Sequence, residues 1–225
     1  MQGFILRGRF GGIFLGLFLF LVSACSMQKP DNWIDSSKSN ETRQPQSNTA
    51  QRQSPSEKEP VRVDYLTALA DIVTPEIYIY KEKRRLYVIQ SNVMVREYPI
   101  GLGFRPVGDK ETDGDGRTPE GDFYINQKAP LNRFSKALVL NYPDRQHAER
   151  ALFAGVLSRP EFKEIVSAVD GKAAPPISTK LGGALYIHAG GAHKDWTQGS
   201  ISLYDSDMDE LFKIASTGTA VHIRP

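Results

Sequence analysis

Gly183-Ala184-Leu185-Tyr186-Ile187-His188-Ala189-Gly190-Gly191-Ala192-His193-Lys194-Asp195-Trp196-Thr197-Gln198-Gly199-Ser200-Ile201-Ser202-Leu203-Tyr204 is the stretch from which the rest of the chain is read. A short apolar run, Leu185 to Ile187, ends on His188. A glycine-rich loop follows, and the turn Thr197-Gln198-Gly199-Ser200 leads into a second apolar run. Side chains alternate along a strand, so Tyr186 and His188 share a face and both are expected to line a site. A base at a strand end, opposite a hydroxyl on a tight turn lined by small residues, suits acyl transfer. A buried histidine on the inner face of a sheet is the plain alternative for His188. The glycine-rich loop and the turn twelve positions later favour the site.

Around this stretch the composition is that of one globular domain with additions. The chain has 225 residues, 40% hydrophobic and 24% charged. A net charge of +2 gives no electrostatic reason to expect a nucleic-acid partner. The single cysteine, Cys25, precedes the folded part, so no disulfide, cysteine-based metal site or thiol nucleophile is expected within the domain. No cofactor and no metal are expected, and a monomer is.

Upstream of the central stretch the pattern is mainly β. Val63, Leu66, Leu69, Ala70 and Val73 recur at helical spacing and predict a short amphipathic helix that Pro75 ends. Ile77 and Ile79, then Leu86 to Ile89, then Val93 to Ile100, predict an antiparallel meander of three strands. The segment 101–122 is a long glycine-rich loop. Within it Asp113-Gly114-Asp115-Gly116 reads as a pair of tight turns, since neither a glutamate at loop position 12 nor flanking helices support calcium. Phe123 to Ile125 and Ala137 to Tyr142 read as strands. Two helices follow, one capped by Asp144 and one over Pro160 to Val169 closed by Gly171. Downstream, Ser206-Asp207-Met208-Asp209 predicts a helix start, and Ala220 to Ile223 a last strand.

Residues 1–25 have the form of a leader, with Arg7 and Arg9 ahead of an apolar run from Ile13 to Val22. Leu21-Val22-Ser23-Ala24-Cys25 resembles a bacterial lipobox, which predicts acylation of Cys25 and attachment to a membrane through lipid. Each buried methylene of such an anchor contributes about 0.8 kcal/mol. Ser26 in place of an aspartate favours the outer membrane, with the domain facing the periplasm. Residues 26–60 are rich in Ser, Gln, Asn, Pro and charge without an apolar period, and read as a disordered tether. As a flexible coil it would reach about 30–35 Å. The domain is expected over 61–225.

Two motifs carry a family resemblance. The Tyr186-Ile187-His188 and Thr197-Gln198-Gly199-Ser200-Ile201-Ser202-Leu203 segments look like the active-site motif of the L,D-transpeptidases, where Ile-His-Gly precedes Thr-x-Gly-Cys-Ile-x-Leu. Upstream, Gly114-Asp115-Gly116-Arg117-Thr118-Pro119-Glu120-Gly121 resembles a second motif of the same enzymes, in the right order. The resemblance spans Thr74 to Pro225 and implies a β-sandwich or barrel-like domain with a few attached helices. It carries His188 over to the base, Ser200 to the place of the catalytic cysteine, and the N–H groups of Gln198, Gly199 and Ser200 to the oxyanion hole. Arg105, Lys110 and Arg117 would meet the carboxylates of diaminopimelate-bearing peptide stems of peptidoglycan.

The serine changes the chemistry. A thiol with a pKa near 8.5 becomes thiolate beside one histidine, whereas a hydroxyl needs its base oriented by a third group. Asp195 and Asp205 are the carboxylates close enough in sequence to serve His188. Two readings follow: acyl transfer or cleavage on peptide stems through Ser200, or a catalytically silent cleft that binds peptidoglycan or an envelope partner.

Overall fold

Alternation of apolar residues sets the sheet. Ile77 and Ile79, Leu86 and Val88, Phe123 and Ile125, Ile187 and Ala189, Ile201 and Leu203, and Val221 and Ile223 are all buried in one continuous core. The computed structural model describes residues 61–129 and 136–225. The leader, the tether and Cys25 lie outside the described residues. Nine strands and three helices occur among the described residues. The strands are β1 (Arg62–Val63), β2 (Glu76–Tyr80), β3 (Arg85–Gln90), β4 (Val93–Pro99), β5 (Gly121–Ala129), β6 (Ala137–Leu140), β7 (Tyr186–Ala189), β8 (Ile201–Leu203) and β9 (Ala220–Arg224). The helices are α1 (Arg145–Phe153), α2 (Arg159–Asp170) and α3 (Asp205–Ile214).

The strands form one mixed sheet in the order β1-β4-β3-β2-β9-β5-β6-β7-β8. The expected antiparallel meander is β2-β3-β4, and parallel pairs β2 with β9 and β7 with β8 extend it. The chain leaving β4 then turns back to the far edge. Gly101 and Ser202 exchange both backbone hydrogen bonds at 2.8 Å, and Leu102 O accepts from the N–H groups of Trp196 and Thr197 at 3.0 and 3.1 Å. The two ends of the sheet thus meet, and the fold is mainly β and barrel-like, as the sequence predicts.

The helices begin for reasons legible in their ends. Asp144 caps α1 by accepting from His147 N–H at 2.8 Å. Ser158 and Glu161 form a reciprocal capping box at the start of α2. These two helices pack on each other around Ala148, Ala151, Leu157, Ile165 and Leu181, a small second core. Helix α3 buries Met208, Leu211 and Ile214 against β6 and β7. It starts one residue earlier than expected, at Asp205, without a side-chain cap. Asp205 and Asp207 in its first turn face the positive end of the helix dipole.

The helix expected over Val63 to Val73 does not form. Val63 instead pairs in β1 with Met94 of β4, and the remainder is loop with one 3-10 turn over Leu69–Asp71. Asp64 accounts for the difference: its carboxylate accepts from Leu66 N–H at 3.0 Å and from the Thr67 hydroxyl, local bonds that compete with a helix. Leu66 is consequently 94% exposed.

Ile187, in β7 between β6 and β8, has no exposed surface. Ile187→Ala is expected to lower the unfolding free energy by about 2–5 kcal/mol in urea titrations. A loss below about 1 kcal/mol would show that the site collapses around the truncation.

Candidate active site

His188 stands near the end of β7, opposite Ser202 of β8, and is buried. Its Nδ1 lies 2.6 Å from the carbonyl oxygen of Ala189. A carbonyl only accepts, so Nδ1 carries the proton and Nε2 is the basic nitrogen of the neutral ring. The Trp196 ring meets the imidazole edge to face at 5.7 Å, and its own indole N–H donates to Gly191 O at 3.2 Å. The imidazole is therefore held by its own strand and by the loop that leads to the Thr197–Ser200 turn.

Thr197 locks that turn. Its hydroxyl donates to Ser200 O at 2.6 Å and accepts from Gly199 N–H at 3.1 Å. Gly199 adopts φ +128°, and a Cβ there would sit 2.6 Å from Arg117 O, so the turn tolerates only glycine at this position. Ser200 is half-buried, and its Oγ accepts from Tyr186 N–H at 3.2 Å. No hydrogen bond joins Ser200 Oγ to His188 among the described residues. The N–H groups of Gln198 and Ser200 have no acceptor among the described residues, whereas that of Gly199 is taken by Thr197. Two of the three expected oxyanion donors thus remain open. Tyr186 enters through its backbone N–H.

The two candidate carboxylates are committed elsewhere. Asp195 receives Arg84 Nε at 3.1 and 3.0 Å, the Arg84 terminal nitrogen at 2.8 Å, and Leu102 N–H at 3.0 Å. Asp205 accepts from Gly190 N–H at 3.1 Å. Neither is hydrogen-bonded to His188, so a carboxylate triad through Asp195 or Asp205 is not formed. Arg84 itself has φ +52°, and nothing in its local sequence signals this role.

The expected substrate cations differ among themselves. Lys110 is buried, with its ammonium 2.8 Å from Asp115 and 2.9 Å from Thr112 O. Asp115 also accepts from the N–H groups of Glu111, Thr112 and Arg117. Arg117 is half-buried and pairs with Glu111 at 3.0 Å. Lys110 and Arg117 thus hold the glycine-rich loop together. Arg105 is exposed and has no side-chain partner among the described residues. His193 lies exposed on the rim, and His222 stacks on Tyr78 with Nδ1 2.6 Å from Asp122. Among the described residues no group of His, Cys, Asp or Glu could hold a metal ion.

The same loop is tied to α1 by Asp109. His147, buried, reaches Asp144 through Nδ1 at 2.6 Å and Asp109 through Nε2 at 3.2 Å, and Arg150 also pairs with Asp109. Burial alone would raise the Asp109 pKa. Hydrogen bonds from His147 and from Glu120 N–H, with the nearby His147 and Arg150 charges, outweigh it and bring the group from 3.8 to about 2. For His147, burial acts to lower the pKa and is outweighed by the bonds to Asp109 and Asp144, which raise it.

An imidazole held at a strand end, a hydroxyl on a rigid turn and two N–H groups without an acceptor among the described residues thus come from neighbouring segments. The YkuD family, the L,D-transpeptidase catalytic domain, matches residues 74–223, two thirds of the chain, and the chain belongs to that family. No match is found among curated proteins. Among solved structures the chain is similar to Bd1075 of Bdellovibrio bacteriovorus, at 17% identity over 68% of this chain and 48% of that one, with a TM-score of 0.45. It is similar to the helical cell shape determining protein Pgp2 of Campylobacter jejuni, at 18% identity over 69% and 53%, TM-score 0.45. It is also similar to an L,D-transpeptidase of Xylanimonas cellulosilytica, at 14% over 68% and 61%, TM-score 0.40. The chain thus spans about half to three fifths of the length of these structures.

A pH series tests the Asp109 tie. A lowered pKa lends stability above the ordinary 3.8 that is lost as pH falls through about 2, while the raised His147 lends stability that is lost as pH rises through its folded value. Asp109→Asn is expected to be less stable near neutral pH, with a flatter acid limb in urea titrations. An acid limb identical to the wild type would show that Asp109 is not paired in solution.

Proposed function

We propose that the domain acts on the peptide stems of peptidoglycan, by acyl transfer or cleavage through Ser200 with His188 as base. The observation that carries this reading is the imidazole fixed through Nδ1 on Ala189 O, which leaves Nε2 as the basic nitrogen beside a turn with two open N–H groups. In the proposed step Ser200 Oγ attacks the diaminopimelate carbonyl carbon and its proton passes to His188 Nε2. The negative oxygen is met by the N–H groups of Gln198 and Ser200, and the leaving amine departs with the histidine's proton. An amine acceptor or water then releases the acyl group. Arg105 is the cation on hand for a stem carboxylate.

A second reading, a silent cleft that binds stems, draws on two features. His188 leans on a neutral carbonyl rather than on Asp195 or Asp205, and Ser200 Oγ takes the Tyr186 N–H. A hydroxyl under those conditions is a poor nucleophile.

Ser200→Cys separates the two. With the base and N–H groups in place, the variant is expected to gain or strongly raise L,D-transpeptidase activity on tetrapeptide stems and to form a carbapenem adduct seen by mass spectrometry. A folded cysteine variant that stays unlabelled and inactive would favour the silent cleft. Turnover by the serine form that Ser200→Ala abolishes would show that the carbonyl-held base suffices.

We also infer that the protein is lipid-anchored at Cys25 and faces the periplasm, from the lipobox-like Leu21 to Cys25 and the uniqueness of that cysteine. Labelled fatty acid is expected to enter the wild type and not Cys25→Ala. Equal labelling of both would overturn the assignment.

A further inference from the structure

Phe104 is an apolar ring left 47% exposed beside the nucleophile turn. Its position is over-determined. Phe104 N–H donates to Thr197 O at 3.0 Å, Arg105 N–H to Gly116 O at 2.9 Å, and Gly103 N–H to the Thr118 hydroxyl at 2.9 Å. A Cβ built on Gly116 would lie 2.4 to 2.6 Å from Cζ and both Cε atoms of the ring. Near-equal distances to those three atoms mean that Gly116 meets the ring's face rather than its edge. One face is therefore seated on a glycine, in a residue that keeps 47% of its surface exposed. Gly116, at φ +72°, has both the backbone and the empty space that this seat requires. The next residue, Arg117, places its carbonyl against Gly199, so the seat is continuous with the turn that carries Ser200.

We propose that Phe104 is a stacking platform for a pyranose ring of the glycan strand, a subsite that rests on the peptidoglycan reading above. A sugar ring presents polarised C–H groups on one face, which suit the negative face of an aromatic ring. The surroundings select a neutral ring over an ammonium: Arg105 follows directly, exposed and without a carboxylate partner among the described residues, and Val107 is 85% exposed. The reach also fits. Three stem residues span at most about 10 Å, and Phe104 is one backbone hydrogen bond from Thr197, three residues from Ser200. With the diaminopimelate carbonyl at Ser200, a stem running along the Thr197 side of the turn would bring its sugar end within reach of Phe104. The site would then distinguish stems still attached to glycan from free peptides.

Calorimetric titration of the full chain, in the Ser200→Ala background so that no turnover intrudes, tests this. The probes are the free diaminopimelate tetrapeptide and the same tetrapeptide on its N-acetylglucosamine–N-acetylmuramic acid disaccharide. The disaccharide form is expected to bind roughly three- to tenfold more tightly. Phe104→Ala should abolish that gain and leave the free tetrapeptide unchanged, while Phe104→Trp should keep it. Equal weakening of both probes by Phe104→Ala would mean that the ring holds the peptide, and the platform falls. Equal binding of both probes by the parent chain also overturns it while sparing the peptidoglycan reading. Binding of neither probe overturns both.

Discussion

The paired backbone hydrogen bonds between Gly101 and Ser202 are the constraint on which the rest depends. Without them β8 would be a sheet edge, three residues long, and the nucleophile turn ahead of it would be a loop anchored at one end. With them the segment leaving β4 becomes the opposite wall, and the glycine-rich loop is carried across the turn. Gly199 then meets Arg117 O, Phe104 reaches Thr197 O, and Leu102 reaches Trp196 and Thr197. Asp195 reinforces the same seam from its side chain by gathering Arg84 and Leu102 N–H. Buried backbone groups must find partners, and here the partners that satisfy them also assemble the site.

The chemistry of that site turns on what supports the base. The Ala189 carbonyl fixes the tautomer and the direction of His188, as a carboxylate would, yet it brings no full negative charge to the imidazolium that the proposed step would form. In serine triads the loss of that group's proper function costs about 10⁴ in kcat. A thiol makes a smaller demand, because much of it ionises beside a neutral base. The Ala189 contact by itself is thus better matched to a cysteine than to the proposed serine nucleophile.

Much of this was legible in the sequence. Alternation at Ile77 and Ile79 and short apolar runs at Leu86 to Ile89, Val93 to Ile100, Leu185 to Ile187 and from Ile201 located the strands, because buried faces leave that imprint directly. The two motifs placed His188, Thr197 and Ser200 in one region. What escaped reading depended on long-range partners. Asp195 looked available to His188 because they are seven residues apart, but Arg84, 111 residues upstream, binds it. Lys110 looked like a substrate cation, but Asp115 and Thr112 O bury it inside the loop. The helix expected at Val63 failed for a local reason that periodicity does not weigh, the Asp64 side chain bonding its own turn.

The charge pattern of the loop carries a consequence for recognition. Lys110 and Arg117, which the sequence offers as substrate cations, are each matched with an acid of the same loop, Asp115 and Glu111, and Lys81 pairs with Glu120 at the loop's end. Asp109 is matched likewise by His147 and Arg150 of α1. These pairs cancel at close range and give the cleft stiffness rather than field. Moving Lys81 or Lys110 to a ligand would leave a largely buried carboxylate behind, which costs more than a new surface pair returns, whereas Glu111, the partner of Arg117, is exposed. Of the three cations proposed for the stem, Arg105 alone is without a carboxylate partner among the described residues. Under the proposed function, affinity for an anionic stem would come from Arg105, from the backbone N–H groups of the turn, and from contact area along the loop. On that reading, a rigid, self-neutralised loop is compatible with the proposed charged substrate.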